Sequence, residues 1–206
     1  MKKILSAACV VMCLGVFAAE QSSDIDLPEP NLSKQATFRK ALEKRRTTRA
    51  FSNRALSVLD ISNLLWAAYG DNRPNGKRTV PAAMGLYNVT LYVALQDGLY
   101  WHNRNDNVLK KIASEDVRMY SDGRKMGARA PMVIIMVAEK DKSGRRGDQY
   151  TAVEAGAIMQ NIYLYCSAYD LGTVVCGSFN NEKLSDALKL PANKYIIMTQ
   201  VVGCLP

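Results

Sequence analysis

Histidine is almost missing from this chain: His102 is the only one in 206 residues. With one imidazole and no Cys-x-x-Cys pair, the sequence lacks the donor set of a structural zinc or iron–sulfur site. Cysteine is scarce as well. Cys9 and Cys13 fall in a leader-like start, which leaves Cys166, Cys176 and Cys204. An odd count cannot close into a complete disulfide set, so at least one thiol stays free or pairs between molecules. There is no internal repeat and no low-complexity tract, which argues against a solenoid. Acidic residues are outnumbered, 19 against 27 basic ones, for a formal net charge of +8. No aromatic-interleaved basic motif accompanies that excess. It favours anionic ligands in general and gives no reason to expect nucleic acid.

The start reads as a targeting segment. Lys2 and Lys3 precede an uncharged run from Ile4 to Phe17, and small residues follow at Ala18 and Ala19. The run is shorter than the roughly 20 residues that span a bilayer. The pattern is that of a secretory signal peptide over residues 1–18, and it predicts an exported protein in the bacterial periplasm with no membrane span after cleavage. An uncleaved membrane anchor and a lipid anchor at Cys13 are the alternatives. Residues 19–32, with Pro28 and Pro30, read as a linker or an arm that wraps a partner. Residues 33–206 then form one domain, and a chain that is 48% hydrophobic overall supplies a core.

Within that domain the patterns alternate. Ser33 is placed to cap a helix running to Arg45. Ser57-Val58-Leu59-Asp60 has the form of a capping box, opening a helix that Gly70 ends. Residues 89–95 are β-branched and aromatic, Gln96-Asp97-Gly98 makes a turn, and Leu99 to His102 pairs back as a hairpin. Asn107 to Arg118 is predicted helical. Met132 to Ala138 is a continuous apolar run, suited to a strand buried on both faces. Tyr150 to Leu171 is apolar nearly all round and reads as a central or dimer-interface helix, with Gly172 as its C-cap. A short strand (Thr173 to Val175), a short helix (about Glu182 to Leu188) and a last strand (Tyr195 to Val202) follow. The class is α+β, helices packed around a mixed, mostly antiparallel sheet.

Three segments can carry chemistry. Between Arg39 and Arg54 there are seven basic residues and one acidic residue, Glu43. At its centre Arg45-Arg46-Thr47-Thr48-Arg49 offers planar guanidinium forks and hydroxyls for an anion, or else a solvated helix end. Pro81-Ala82-Ala83-Met84-Gly85 offers small residues that let backbone approach a flat ligand, or else a tight loop into a strand. Cys176-Gly177 follows a short strand, where glycine can aim backbone N–H groups at a ligand. His102 reads as a surface or packing residue rather than a catalyst, and the thiol of Cys176 as a buried small apolar group.

The order of these segments resembles the nitroreductase-like FMN-dependent flavoprotein family, in particular the branch near the azoline-forming peptide dehydrogenases. The resemblance covers about residues 38–205. The family's Arg-x-Ser-x-Arg segment is matched by the arginine cluster. Its Leu-Leu-Trp-Ala-x-x-Gly helix is matched by Leu64 to Gly70, its Arg-x-x-Pro-Ser-Ala-Gly-x-x-Tyr segment by Arg78 to Tyr87, and its central helix by Glu154 to Ile162. The resemblance implies an intertwined homodimer with FMN at each subunit interface. Arg45, Arg46, Thr47 and Arg49 would hold the phosphate, ribityl chain and pyrimidine side, with Arg49 favouring the anionic reduced flavin. Pro81, Ala82, Ala83, Met84 and Gly85 would reach the flavin from the partner, and the backbone of Cys176 and Gly177 would lie near N5. The implied activity is oxidoreduction of a small organic substrate, with NAD(P)H as one available electron donor. Two departures stand out: Ala82 replaces the usual serine, and Met84 stands where relatives often have glycine. The usual basic residue beyond the last strand has no counterpart in Gly203-Cys204-Leu205-Pro206, so phosphate binding falls on Arg45 to Arg49. Two other readings stay open: an exported relative that binds flavin or another ligand without turnover, and a surface protein that grips polyanions through Arg39–Arg54.

Overall fold

A computed structural model describes residues 23–33, 35–140 and 144–206. The expected signal peptide lies outside the described residues. Seven strands form one sheet: β1 (Ile25–Asp26), β2 (Val89–Leu95), β3 (Gly98–Asn103), β4 (Val108–Ala113), β5 (Met132–Glu139), β6 (Leu171–Cys176) and β7 (Lys194–Cys204). Their spatial order is β1-β4-β3-β2-β5-β7-β6, and every pairing is antiparallel. Among the described residues four α-helices accompany the sheet: α1 (Phe38–Lys44), α2 (Val58–Tyr69), α3 (Gly147–Ala168) and α4 (Asn181–Ala187). The α+β class therefore stands, with an antiparallel rather than mixed sheet among the described residues. No helix among them is long and apolar enough to cross a membrane.

β5 shows why the apolar run makes a central strand. Met132, Ile134 and Met136 face a core shared with α2 and α3, where Leu64, Leu65, Ile158 and Ile162 are buried. Val133, Ile135 and Val137 face the opposite core, closed by Val117, Met126, Leu184 and Leu188. The period-2 alternation of a strand splits one apolar sequence between two layers. The capping box of α2 is present: Ser57 Oγ accepts from Asp60 N–H (3.0 Å) while Asp60 Oδ2 accepts from Ser57 N–H (3.2 Å).

Four local expectations are corrected. The first helix begins at Thr37, not Ser33; Thr37 caps it by accepting from Lys40 N–H. Ser33 instead donates its N–H to the Tyr169 hydroxyl (2.7 Å), and Asn31 exchanges hydrogen bonds with Asn63, so the chain is held extended there. Residues 107–118 are not a helix. Asn107 takes a left-handed conformation (φ 53°) in the turn, and β4 pairs with β3 and β1, burying Leu109. Sheet pairing with distant residues overrides the local pattern. The segment read as a linker or arm lays Ile25 and Asp26 against β4 and buries Leu27. Gly172 is not a C-cap: Asp170 takes the left-handed turn (φ 54°), and Gly172 lies inside β6.

α3 buries one face, through Thr151, Glu154, Ala155, Ile158, Ile162, Tyr165 and Cys166. Its other face is open in the single chain, with Val153 62% exposed and free space beside Gly156. The all-round apolar character thus exceeds what one chain covers.

Candidate functional site

The arginine cluster leaves the end of α1 as an extended segment laid along β6. Thr48 N–H donates to the Thr173 carbonyl (2.9 Å), and Ser52 N–H to the Cys204 carbonyl (3.0 Å). This approach needs Gly172, because a Cβ there would come within 2.9 Å of Thr48 Cγ2 and 3.1 Å of Leu205 Cδ2. Upstream, Lys44 and Lys40 both reach Asp170 (2.8 and 3.4 Å), and the hydrogen bond from Lys44 holds the Asp170 carboxyl below its ordinary range. The segment is thereby fixed at both ends while its arginines stay unused.

Arg45, Arg46 and Arg49 are exposed, and none makes an ion pair or side-chain hydrogen bond among the described residues. Arg45 lies over the ring of Tyr163, 5.3 Å from its centroid. Thr47 Oγ1 and the Tyr163 hydroxyl are 3.1 Å apart, and that hydroxyl also accepts from Val175 N–H (3.2 Å). Tyr163 therefore ties the cluster, α3 and β6 together. A cavity of about 310 Å³ opens here, lined by Lys44, Arg45, Arg46, Thr48, Asp170 and Thr173. The charges of Arg49 and of Arg124, in the loop before β5, act on the Cys176 thiol against the raising effect of Asp122. The Cys176 thiol itself is buried, and burial pushes it up to about 11. A neutral thiol facing the core is no nucleophile at neutral pH. Gly177 is exposed, and a Cβ there would meet only Met198, at 3.4 Å, so its backbone is open to a ligand.

Pro81 to Gly85 lies elsewhere. Asn161 on α3 anchors its approach by donating to the carbonyls of Ala67 (3.1 Å) and Thr79 (3.4 Å). Asn161 and Tyr163 are two residues apart, roughly 200° around a helix. The loop and the arginine cluster thus flank α3 on different sides, and no hydrogen bond or ring contact joins them among the described residues. The loop turns through two successive left-handed residues, Met84 (φ 54°) and Gly85 (φ 70°). That explains why glycine suits position 84: a side chain there adopts a conformation most residues avoid. Met84 projects outward, 73% exposed.

The loop is held by residues that sequence reasoning passed over. The Arg78 guanidinium lies over both Tyr69 and Tyr87, 4.1 Å from each centroid, and Arg78 N–H donates to the Tyr87 hydroxyl (3.0 Å). The two ends of the Arg78-to-Tyr87 motif close on each other. Tyr69 in turn donates to Glu154 Oε1, and burial with the neighbouring Glu154 carboxylate pushes its phenol well above its ordinary value. Glu154, 2% exposed, also accepts the N–H groups of Asn88 (3.0 Å) and Val89 (3.1 Å). The ten-residue motif from Arg78 to Tyr87 was visible in the sequence; the clasp with Tyr69 at the end of α2 was not. Arg124 had no signal beyond its charge.

An antiparallel seven-stranded α+β domain with an arginine-rich segment beside the end of β6 matches a known group of redox proteins. Residues 42–204 match the sequence profile of the nitroreductase family. The chain belongs to that family of oxidoreductases. It is 29% identical over 194 residues to a nitroreductase-family protein of Methanocaldococcus jannaschii, covering 87% of this chain and 96% of that one. A solved nitroreductase-family structure from Ralstonia eutropha is 31% identical, with a TM-score of 0.82, covering 89% of this chain and 90% of that one. A Desulfovibrio desulfuricans relative solved in complex with FMN shares the fold at a TM-score of 0.60 and 20% identity, over 81% of this chain and 84% of that one.

Proposed function

We propose that this chain is an exported homodimeric flavoprotein that uses FMN to oxidise or reduce a small organic substrate. The observation that carries the reading is the set of unanswered cations, Arg45, Arg46 and Arg49, held beside an open backbone edge at Gly177. An exposed cluster of guanidinium groups with no ion pair or side-chain hydrogen bond among the described residues, on a segment pinned at both ends, fits the anionic phosphate and polar chain of FMN. FMN in the Desulfovibrio desulfuricans relative supports the choice of cofactor.

The residues divide the work. Arg45 and Arg46 would bind phosphate, Thr47 and Arg49 the polar chain and ring edge, and the Cys176–Gly177 backbone would border the reacting edge. Arg124, whose charge also reaches Cys176, is placed to share the cationic role expected of a residue beyond the last strand. Bound FMN supplies the hydride chemistry, and the protein orients it and tunes its electronics. The open face of α3 and the separation of Pro81–Gly85 from the cluster support a homodimer, in which one copy's loop covers the other's arginines. NAD(P)H and an extracytoplasmic reductant are both open as electron donors.

Flavin content tests the reading. Purified protein is incubated with FMN, desalted and denatured, and released flavin is identified by chromatography. About one FMN per chain is the expected result. No retained flavin after reconstitution overturns it and favours a binding protein without turnover. Retained flavin that no donor reduces would favour the same alternative.

A further inference from the structure

Away from the arginine cluster, a second cavity lies between the end of α2 and the β2–β3 hairpin. We propose that it binds a small oxyanion, a carboxylate or a phosphate, through Arg78 and His102. The inference does not depend on the flavin reading.

The cavity measures about 160 Å³ and is lined by Tyr69, Arg78, Thr90, Trp101, His102 and Arg104 among others. One of these residues is unanswered. The Arg78 guanidinium makes no hydrogen bond among the described residues, and its Nε is buried without a partner. The rings of Tyr69 and Tyr87, set at 78° to each other, each lie 4.1 Å from its Cζ, and no hydrogen bond from the guanidinium N–H donors accompanies these contacts among the described residues. His102, 8% exposed, lines the same cavity. A buried donor left unpaired costs about 1–3 kcal/mol. Arg78 Nε carries that deficit at the wall of a cavity, which points to a ligand that supplies acceptors.

Its charge sign follows from the neighbours. Arg104 is answered by Asp71 and by Asn105 Oδ1 (2.8 Å). Glu154 is committed to the Tyr69 hydroxyl and two backbone N–H groups. Arg78 alone has no hydrogen-bonded counter-ion. A planar fork of donors on a fixed cation matches two oxygens of a carboxylate or phosphate, and a water answers neither the charge nor the fork. His102 is neutral at pH 7, with its acidity set first by burial and then by Arg104 and Arg78, so it offers one N–H donor to the same oxygens. The volume takes a group the size of phosphate or a short carboxylic acid and excludes a flavin or nicotinamide ring system.

The lone histidine makes the test direct. In proton NMR the imidazole C–H signals can come only from His102. Sodium phosphate and sodium acetate are titrated separately into the purified protein at pH 7, with ionic strength held constant by sodium chloride. The expected result is a saturable shift of the His102 signals with at least one of them. Phosphate alone identifies a phosphoryl ligand, acetate alone a carboxylate, and both a general oxyanion pocket. Arg78→Lys, which keeps the charge and removes the fork, should weaken the saturating anion at least tenfold. Absence of a saturable shift with either anion in the unaltered protein overturns the proposal, whether or not Arg78→Lys folds. So does unchanged affinity in a folded Arg78→Lys protein.

Discussion

Arg45, Arg46 and Arg49 stand in solvent on a strand-like segment, whereas Arg78 is clasped between two tyrosine rings in the body of the domain. Both sets of guanidinium groups lack internal ion pairs, for different reasons. The exposed arginines rest on a backbone held by Thr48 and Gly172, so their side chains can be exchanged without disturbing the fold. Arg78 is part of the packing, and its neighbours Tyr69 and Glu154 continue a buried polar network into β2. A charge can thus be held ready for a ligand by its backbone or by its side-chain environment. Only the second couples ligand binding to stability.

The comparison breaks most sharply at the exposed cluster. Arg45→Ala combined with Arg49→Ala should lower FMN retention by about 100-fold or more, since charge-assisted hydrogen bonds are worth about 1.5–3 kcal/mol each. The melting temperature should stay within about 2 °C of the unaltered protein. Retained flavin in that double variant would sink the site assignment. The clasp should behave in the opposite way. Glu154→Ala strands the Tyr69 hydroxyl and the N–H groups of Asn88 and Val89, and should cost about 4 kcal/mol in urea unfolding. A loss under 1 kcal/mol would show that the network is dispensable.

His102 adds a pH signature to the clasped side. Burial lowers its pKa to about 4 from 6.5, with Arg104 and Arg78 adding to the effect. The folded state therefore favours neutral imidazole. This contribution is fully present above about pH 6.5 and is lost as pH falls toward 4, on the order of 3 kcal/mol in all. Unfolding free energies measured across that window should show the slope, and His102→Phe should remove it. The smallest effect is expected at Met84. Met84→Gly relieves a left-handed residue but frees the unfolded chain, so stability should change by less than about 1 kcal/mol. A larger loss would mean that the exposed Met84 side chain packs against a partner copy.

Much of the fold was legible wherever local pattern and final structure agree. β5 is a single apolar run, α2 carries its own capping box, and the spacing in α3 is helical. β4 was misread because Val108 to Ala113 has no clean alternation. Its strand character comes from pairing with β3 and β1, which no local window contains. Gly172 looked like a helix terminator because glycine usually is one; its real requirement is the approach of Thr48 from 124 residues earlier in the chain. For the site, the ordered motifs pointed to Arg45–Arg49, which the structure gathers beside β6. The Arg78–Tyr69–Tyr87 clasp and the burial of His102 beside it depend on three separated segments meeting, and their residue types alone did not announce it.

β6 ends the sheet, and a strand in that position offers an open row of backbone groups to any other chain. Here the outward carbonyl of Thr173 is taken by Thr48, while Ser52 closes on Cys204. The segment that presents the arginines therefore also guards the sheet against self-association. Three nearby like charges make it an inhospitable edge for a second strand. Selection on solubility and selection on ligand capture then act on the same few residues, so variants that tolerate the loss of one role should reveal themselves by failing in the other.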